Sequence, residues 1–163
     1  MNPEEKQHSG MKKGNYTRFI IMLVLSFIAM YITMYMNTYD WDHVWFSLTR
    51  FYMAILGICA MAVIMLTMML GMYKNRKKNI AIYAGSLVIF LSSLGLVRAQ
   101  IPVGDVLWMK AMIPHHSIAI LTSKRADIKD PEAQKLAKEI IEAQEREIAE
   151  MKKIIYRLEN IEE

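Results

Sequence analysis

The chain has 163 residues, of which 54% are hydrophobic and 22% charged, with a formal net charge of +4 and 15 methionines. This length suits one ordinary domain, but the apolar residues are concentrated in the first hundred positions, which is typical of a membrane protein. Ten basic and twelve acidic residues lie from Asp105 onward, against ten basic and four acidic ones before it. The basic excess thus reflects membrane topology, and a nucleic-acid surface is excluded.

Three uncharged apolar segments, at 19–36, 51–73 and 79–97, predict three transmembrane helices. Each has roughly 18 to 23 residues, which as a helix crosses about 30 Å of hydrocarbon. The first follows basic residues as a secretory signal does, but no small-residue cleavage pattern follows, so we interpret it as a retained anchor. We therefore predict a cytoplasmic tail at 1–18 and a membrane domain at 19–98.

The distribution of basic residues predicts the orientation of the chain. Eight precede the first helix or lie between the second and third, namely Lys6, Lys12, Lys13, Arg18, Lys74, Arg76, Lys77 and Lys78. Only Arg50 and Arg98 lie at the opposite ends. By the positive-inside rule the N-terminus is cytoplasmic and everything after the third helix is outside. We expect Trp41 and Trp45, in the outer loop, to anchor at the membrane interface.

The membrane segments and the outer loop contain further candidate metal ligands. One stripe on the second helix is rich in sulfur and could be imagined as a Cu(I) conduit; it consists of Met61, Met65, Met68 and Met72. We favour apolar packing for it, because no charged residue lies within a span and ion pathways usually contain one. In the outer loop, Asp40, Asp42 and His43 could bind a metal, but we favour solvated side chains.

Two helices are predicted in the C-terminal region, 105–163. Asp105 is placed to cap the first helix. A turn is predicted at 127–131, where Asp130, followed by a proline, predicts the N-cap of a long helix that runs to about Asn160.

The second of these helices carries an apolar stripe formed by Leu136, Ile140, Ala143, Ile148, Met151, Ile154 or Ile155, and Leu158. Two helices cannot enclose such a stripe, and about sixty residues is marginal for an independent core. A partner is implied, either a second hairpin or the membrane domain. The predicted fold is therefore all-α: three transmembrane helices and an extracytoplasmic helical hairpin, completed to a four-helix bundle by homo-oligomerisation.

Soft ligands recur along the first hairpin helix. Met109, Met112 and His116 fall within about 60° of one another on an ideal helix, and His115 lies to one side. Inside a helix Pro114 deletes one hydrogen bond, and we expect the resulting kink to turn both imidazoles toward a common point.

On the second hairpin helix Gln144, Glu147 and Met151 share a face. Glu147 lies near the apolar seam and needs a partner, whereas we favour Gln144 as a hydrogen-bonding residue. A lone His or Met on an apolar face usually fills the core, but this combination favours a metal site formed by His115, His116, Met112, Met109, Met151 and Glu147. Thioethers select Cu(I), so copper is favoured and zinc stays possible.

The motif Met-Ile-Pro-His-His-Ser-Ile-Ala-Ile at 112–120, with the later Asp-Pro and Met151, resembles the ferritin-like family catalogued as domain of unknown function 305. The resemblance covers roughly 105–155. It implies an all-helical, extracytoplasmic bacterial protein associated with copper binding and tolerance. It also implies metal-binding positions at Met109, Met112, His115, His116 and Met151. Soluble members often have methionine where this chain has Thr122, so fewer sulfurs are present.

Together these features predict a non-enzymatic protein in the bacterial cytoplasmic membrane that holds or buffers copper outside it. A copper-trafficking protein is a possible partner, alongside the lipid bilayer and further copies of the chain. Alternatives are a structural oligomerisation module and a histidine site for zinc or another divalent metal. Di-iron oxidase chemistry is excluded, since the Glu-x-x-His pairs it needs are absent.

Overall fold

The computed structural model describes residues 3–160, with side chains from residue 15. This part of the chain is all-α and contains no strand. The helices are α1 (Pro3–Thr33), α2 (Leu48–Met68), α3 (Arg76–Ala99), α4 (Asp105–Arg125) and α5 (Pro131–Glu159), with a 3-10 turn at Trp41–His43. The chain forms two compact units: α1 to Tyr31 with Phe51–Ala99, and Ile32–Arg50 with the chain from Gln100 onward.

Three helical segments are long and apolar enough to cross a membrane: Asn15–Thr33, Leu48–Met68 and Arg76–Ala99. The number of predicted spans is confirmed, but two predicted ends were placed too late. α1 ends at Thr33, and α2 ends at Met68 instead of continuing to Tyr73. Tyr73 leaves the helix because its ring packs against Tyr16 and Phe19, with ring centroids 5.1 and 5.3 Å away.

The first unit has a small core around Tyr73. Tyr16, Phe19 and Leu66 are buried in one cluster with Tyr73. The polar group among them, Asn79, is satisfied: its Oδ1 accepts from the Tyr16 hydroxyl at 2.7 Å, and its Nδ2 donates to the Tyr73 carbonyl at 2.6 Å. A buried amide paired in this way avoids the cost of desolvation.

The sulfur-rich stripe of α2 mostly faces outward. Met61, Met68 and Met72 are exposed, and Met65 packs beside the small core. Exposed positions of this kind are open to apolar contact with lipid or another helix, and the apolar-packing interpretation stays a prediction.

In the second unit, α4 and α5 form a hairpin joined by a turn. The predicted cap of α5 is confirmed: Asp130 accepts a hydrogen bond from the Ala133 N–H at 2.8 Å, and Pro131 follows it. The predicted cap of α4 is wrong. Gly104 occupies that position, and Asp105 is the first helical residue, where its charge still favours the positive end of the helix dipole.

The hairpin core consists of Met109, Ile113, Ile120, Ile148, Met151 and Ile155. One end of the predicted stripe was wrong: Leu136 is 57% exposed, and Ala137 is buried instead. Part of the cover comes from the outer loop, which the sequence interpretation did not foresee. Trp45 packs against this core, and its role as an interfacial anchor stays a prediction.

Hydrogen bonds and ion pairs attach the outer loop to the hairpin. The hydroxyl of Ser117, fully buried on α4, accepts the backbone N–H of Tyr39 at 2.8 Å and lies 2.9 Å from Nδ1 of His43. Lys152 pairs with Asp42. The loop, α4 and α5 therefore form one packed body.

Replacing Ser117 with Ala should loosen this attachment. The Tyr39 N–H would lose its acceptor and Nδ1 of His43 would lose its hydrogen-bond partner, at a cost of about 1 kcal/mol for each hydrogen bond. Hydrogen exchange of the full chain in detergent, read by mass spectrometry, should show faster exchange around 39–43. Thr122→Ala is the control, because the Thr122 hydroxyl bonds only to carbonyls of its own helix. Equal exchange in the two variants would contradict the assigned role of Ser117.

Candidate metal centre

The candidate ligands lie on the two hairpin helices. Met109, Met112, His115 and His116 are on α4, and Glu147 and Met151 are on α5. Because α4 and α5 pack against each other, side chains on their facing sides meet across a single interface. The question is which of the predicted ligands face that interface.

The three candidate methionines belong to the hairpin core or pack against it. Met109 and Met151 are buried, with 4% and 7% of their surface exposed, and belong to one cluster. Met112 is partly buried and packs against that cluster. The other buried members are isoleucines, so apolar packing alone accounts for the burial of the two methionines. The structure thus gathers the predicted thioethers in a setting that also suits core packing.

His116 and Glu147 meet across the two helices. Nδ1 of His116 lies 3.0 Å from Oε2 of Glu147, and their side chains are 14% and 42% exposed. The contact is electrostatic without hydrogen-bond alignment, and this buried Nδ1 has no hydrogen-bond partner among the described residues. Glu147 therefore has the partner that its position near the apolar seam required.

The environment of His116 favours its neutral form. Burial lowers the pKa of the imidazole, the Glu147 carboxylate opposes this shift, and the neighbouring His115 adds to it. Neutral imidazole is the form that binds metals, so this histidine is prepared for coordination near neutral pH.

His115 and Gln144 occupy the margin of the site. The side chain of His115 is exposed, and its ring centroid lies 6.0 Å from that of His116 at an interplanar angle of 60°. α4 runs through Pro114 without interruption, and the expectation that the two imidazoles turn toward a common point stays a prediction. Gln144 Nε2 lies 3.5 Å from Glu147 Oε2, a long contact that agrees with a hydrogen-bonding role.

The donor set of the hairpin limits what could bind there. No three His, Cys, Asp or Glu side chains within the described residues come together as a metal site. Across the hairpin interface, the described contact between a histidine and a carboxylate is the one between His116 and Glu147. A metal ion held here would need sulfur donors, or donors from another chain, to complete its coordination.

Sequence reasoning missed the role of Ser117, which lies directly after His116. A signal was present: Ile113, Ser117 and Ile120 share one helix face, so a hydroxyl stands where the pattern requires an apolar side chain. Its partner His43 has a pKa lowered first by burial and then by Lys152, with nearby carboxylates opposing the shift. Ser117 is fully buried, which suits a structural hydrogen bond and not a nucleophile.

Two of the three candidate metal ligands in the outer loop contact the hairpin. Asp42 pairs with Lys152 and His43 contacts Ser117, so both side chains attach the loop to the hairpin. Solvated side chains, the favoured interpretation, therefore do not describe His43, which is partly buried.

Comparison with known proteins relates the chain to uncharacterised ones. Residues 93–155 match the family described as Domain of unknown function (DUF305). The chain is 31% identical over 144 residues to the "Uncharacterized protein L153" of Acanthamoeba polyphaga mimivirus, covering 86% of this chain and 93% of that protein. That similarity extends beyond the hairpin into the membrane-helix region. No solved structure matches the chain.

The interaction between Glu147 and His116 predicts a pH effect. In Glu147→Gln the carboxylate that opposes the shift is lost, so the pKa of His116 should fall further. Because folded His116 already binds its proton less readily than the unfolded chain does, its contribution to stability is present above the unfolded pKa of about 6.5. It is lost as the pH falls through the folded pKa. Titration of the full chain labelled at its histidine rings, followed by NMR, measures the pKa.

Glu150→Gln is the matched control, because it removes the same charge from an exposed position of α5. An unchanged or higher His116 pKa in Glu147→Gln would show that the carboxylate does not act on this imidazole.

Proposed function

This chain belongs to the family described as domain of unknown function 305, and we propose that it is a membrane-anchored protein that holds or buffers copper. The metal is chiefly Cu(I), held outside the cytoplasmic membrane of a bacterium, and the protein contributes to copper homeostasis or tolerance without catalysing a reaction. One observation carries this proposal: the hairpin interface supplies one imidazole and one carboxylate, so its nearby thioethers are needed to complete a site.

The proposed ligands are His116, Met112 and His115, with Met109 or Met151 completing a soft environment of low coordination number. Glu147 contacts the His116 imidazole and fixes its orientation, or joins it on the metal. Thioethers are neutral at every pH, whereas imidazole must be neutral to bind. His116 therefore determines how binding depends on pH, and the methionines determine the preference for Cu(I).

A second candidate is a site for zinc or another divalent metal. The contact between His116 and Glu147 favours it, because nitrogen and carboxylate oxygen together suit Zn²⁺ better than Cu(I). In that case the methionines are core residues, as their isoleucine neighbours allow.

Association of hairpins would assist either function. We propose that two hairpins form a ferritin-like four-helix bundle in a homo-oligomer, since each supplies only one imidazole and carboxylate pair. The exposed His115 could then reach a metal shared with another copy. A copper-trafficking protein would deliver or remove the ion.

The choice of metal can be tested with two double variants of the full chain. His115→Ala with His116→Ala should abolish binding of Cu(I) and Zn(II). Met112→Leu with Met151→Leu keeps the apolar volume and should weaken Cu(I) at least about ten-fold more than Zn(II), because only the soft ion depends on sulfur. Competition with a chromogenic chelator measures both affinities.

Met61→Leu with Met68→Leu is the matched control, since it removes two exposed methionines from α2. Equal loss of both metals on changing Met112 and Met151 would indicate the divalent site. No loss of either metal in the histidine variant would refute metal binding at the hairpin.

The orientation of the chain can be tested in intact cells. Changing Cys59, the one native cysteine, to Ala and Glu150 to Cys leaves a single thiol, on the hairpin. This thiol should react with a membrane-impermeant reagent, because the basic residues hold the opposite ends of the membrane helices in the cytoplasm. The control, Lys77→Cys, lies in the first turn of α3, at its basic end, and should react only after permeabilisation. The reverse pattern would place the hairpin in the cytoplasm and rule out extracytoplasmic copper buffering.

A further inference from the structure

The exposed apolar residues of the second unit are unevenly distributed. Among its described residues, the large exposed ones are Ile32, Met36, Tyr39, Trp41, Val44, Phe46, Ile101, Trp108, Leu136 and Tyr156. Leu136 lies near the turn that joins α4 to α5, and so does Tyr39, whose ring centroid lies 4.4 Å from Lys124 Nζ in the last turn of α4. The others lie in the segments that continue directly from membrane helices, or at the end of α5.

The start of α4 and the end of α5 lie side by side at one end of the hairpin. Lys110 on α4 pairs with Glu159 on α5 at 2.5 Å, and Met109 and Ile155 share the buried core. Trp108 and Tyr156, adjacent to these core residues, are therefore at the same end of the hairpin, and they are 51% and 73% exposed. We call this end, with Ile101, Trp108 and Tyr156, the basal surface.

A groove of about 490 Å³ opens at the same end. Its walls are the connecting segment, the first turn of α4 and the last turn of α5, and the side chains lining it are mostly apolar, including Val106, Leu107 and Leu158. A mostly apolar groove at the end that carries Trp108 and Tyr156 differs from the rest of the hairpin surface, which is largely charged.

We propose that the basal surface lies in the headgroup region of the lipid bilayer. The proposal rests on the membrane insertion of α1 to α3, which is part of the proposed function. Only residues 100–104 separate the end of α3 from the start of α4, and the backbone of Val103 turns back to bond Gln100 at 2.8 Å. The six Cα–Cα steps from Ala99 to Asp105 reach at most about 22 Å even when extended, so the hairpin is tethered to the third candidate span at its basal end.

The side chains of the basal surface suit that location. Tryptophan and tyrosine combine an apolar ring with a polar group and are enriched where hydrocarbon meets water. Arg157, exposed beside Tyr156, can interact with lipid phosphate. A second copy of the chain is the other conceivable occupant. It would not explain why the exposed apolar residues follow the connections to the membrane helices.

Tryptophan fluorescence tests the proposal, because the chain has three tryptophans in different settings. In phosphatidylcholine and phosphatidylglycerol vesicles, a chain retaining only Trp108 (W41F, W45F) should be quenched by lipids brominated near the carbonyl end of the acyl chain. Bromine near the methyl end should quench it less. A chain retaining only Trp45 (W41F, W108F) is the control, because Trp45 packs against the hairpin core. We expect its quenching to be at least about two-fold weaker, as an interfacial ring contacts lipid directly.

A further variant distinguishes failure of the basal-surface proposal from failure of the membrane anchor. Leu87→Trp, in a chain with all three native tryptophans changed to Phe, places the fluorophore at an exposed position of α3. Quenching of this residue without quenching of Trp108 would overturn the basal-surface proposal and leave the membrane anchor intact. Absence of quenching in both would refute the anchor as well.

W45F changes a ring that packs against the hairpin core. The native chain and W108F, which keeps Trp45, are therefore compared in the same vesicles. Loss of the shallow-quenched emission in W108F supports the proposal. An unchanged shallow component overturns it, as does protection of Trp108 from both brominated lipid and aqueous iodide, which would indicate contact with another copy.

Discussion

The hydroxyl of Ser117 is the contact on which the second unit depends. It is fully buried, accepts the Tyr39 N–H and contacts the His43 ring, so a loop that would otherwise be solvated is attached to α4. Attachment brings Trp45 over the apolar core. The same residue follows His116, so the helical turn carrying the proposed ligand is also the turn that attaches the loop.

The fold could be predicted from the sequence wherever one physical rule dominates. Uncharged segments of sufficient length identify three spans, and Asp130 before a proline identifies the start of α5. Prediction was weaker where tertiary contacts compete with local preference. Tyr73 leaves α2 to pack against aromatic rings, and Gly104 takes the cap position that Asp105 was expected to fill. Neither outcome is encoded in the few residues around it.

The candidate site was predictable in its composition but not in its arrangement. Helical spacing places Met109, Met112 and His116 on one face, and the structure buries all three at least in part. The cross-helix contact of His116 with Glu147 depends on the register between α4 and α5, which spacing within one helix does not specify. Spacing also left the orientation of His115 open, and its side chain is exposed.

The attachment of the outer loop means that the second unit is assembled from two stretches separated by α2 and α3. A fragment that begins at α4 would retain the ligands yet lack the chain that covers Ile148 and bonds Ser117. Expressed alone, such a fragment would expose an apolar face and a Ser117 hydroxyl without its native donor. We expect such fragments to associate with one another through that face. A soluble version of this unit would instead be made by joining Ile32–Arg50 directly to the hairpin through a flexible linker in place of the excised helices.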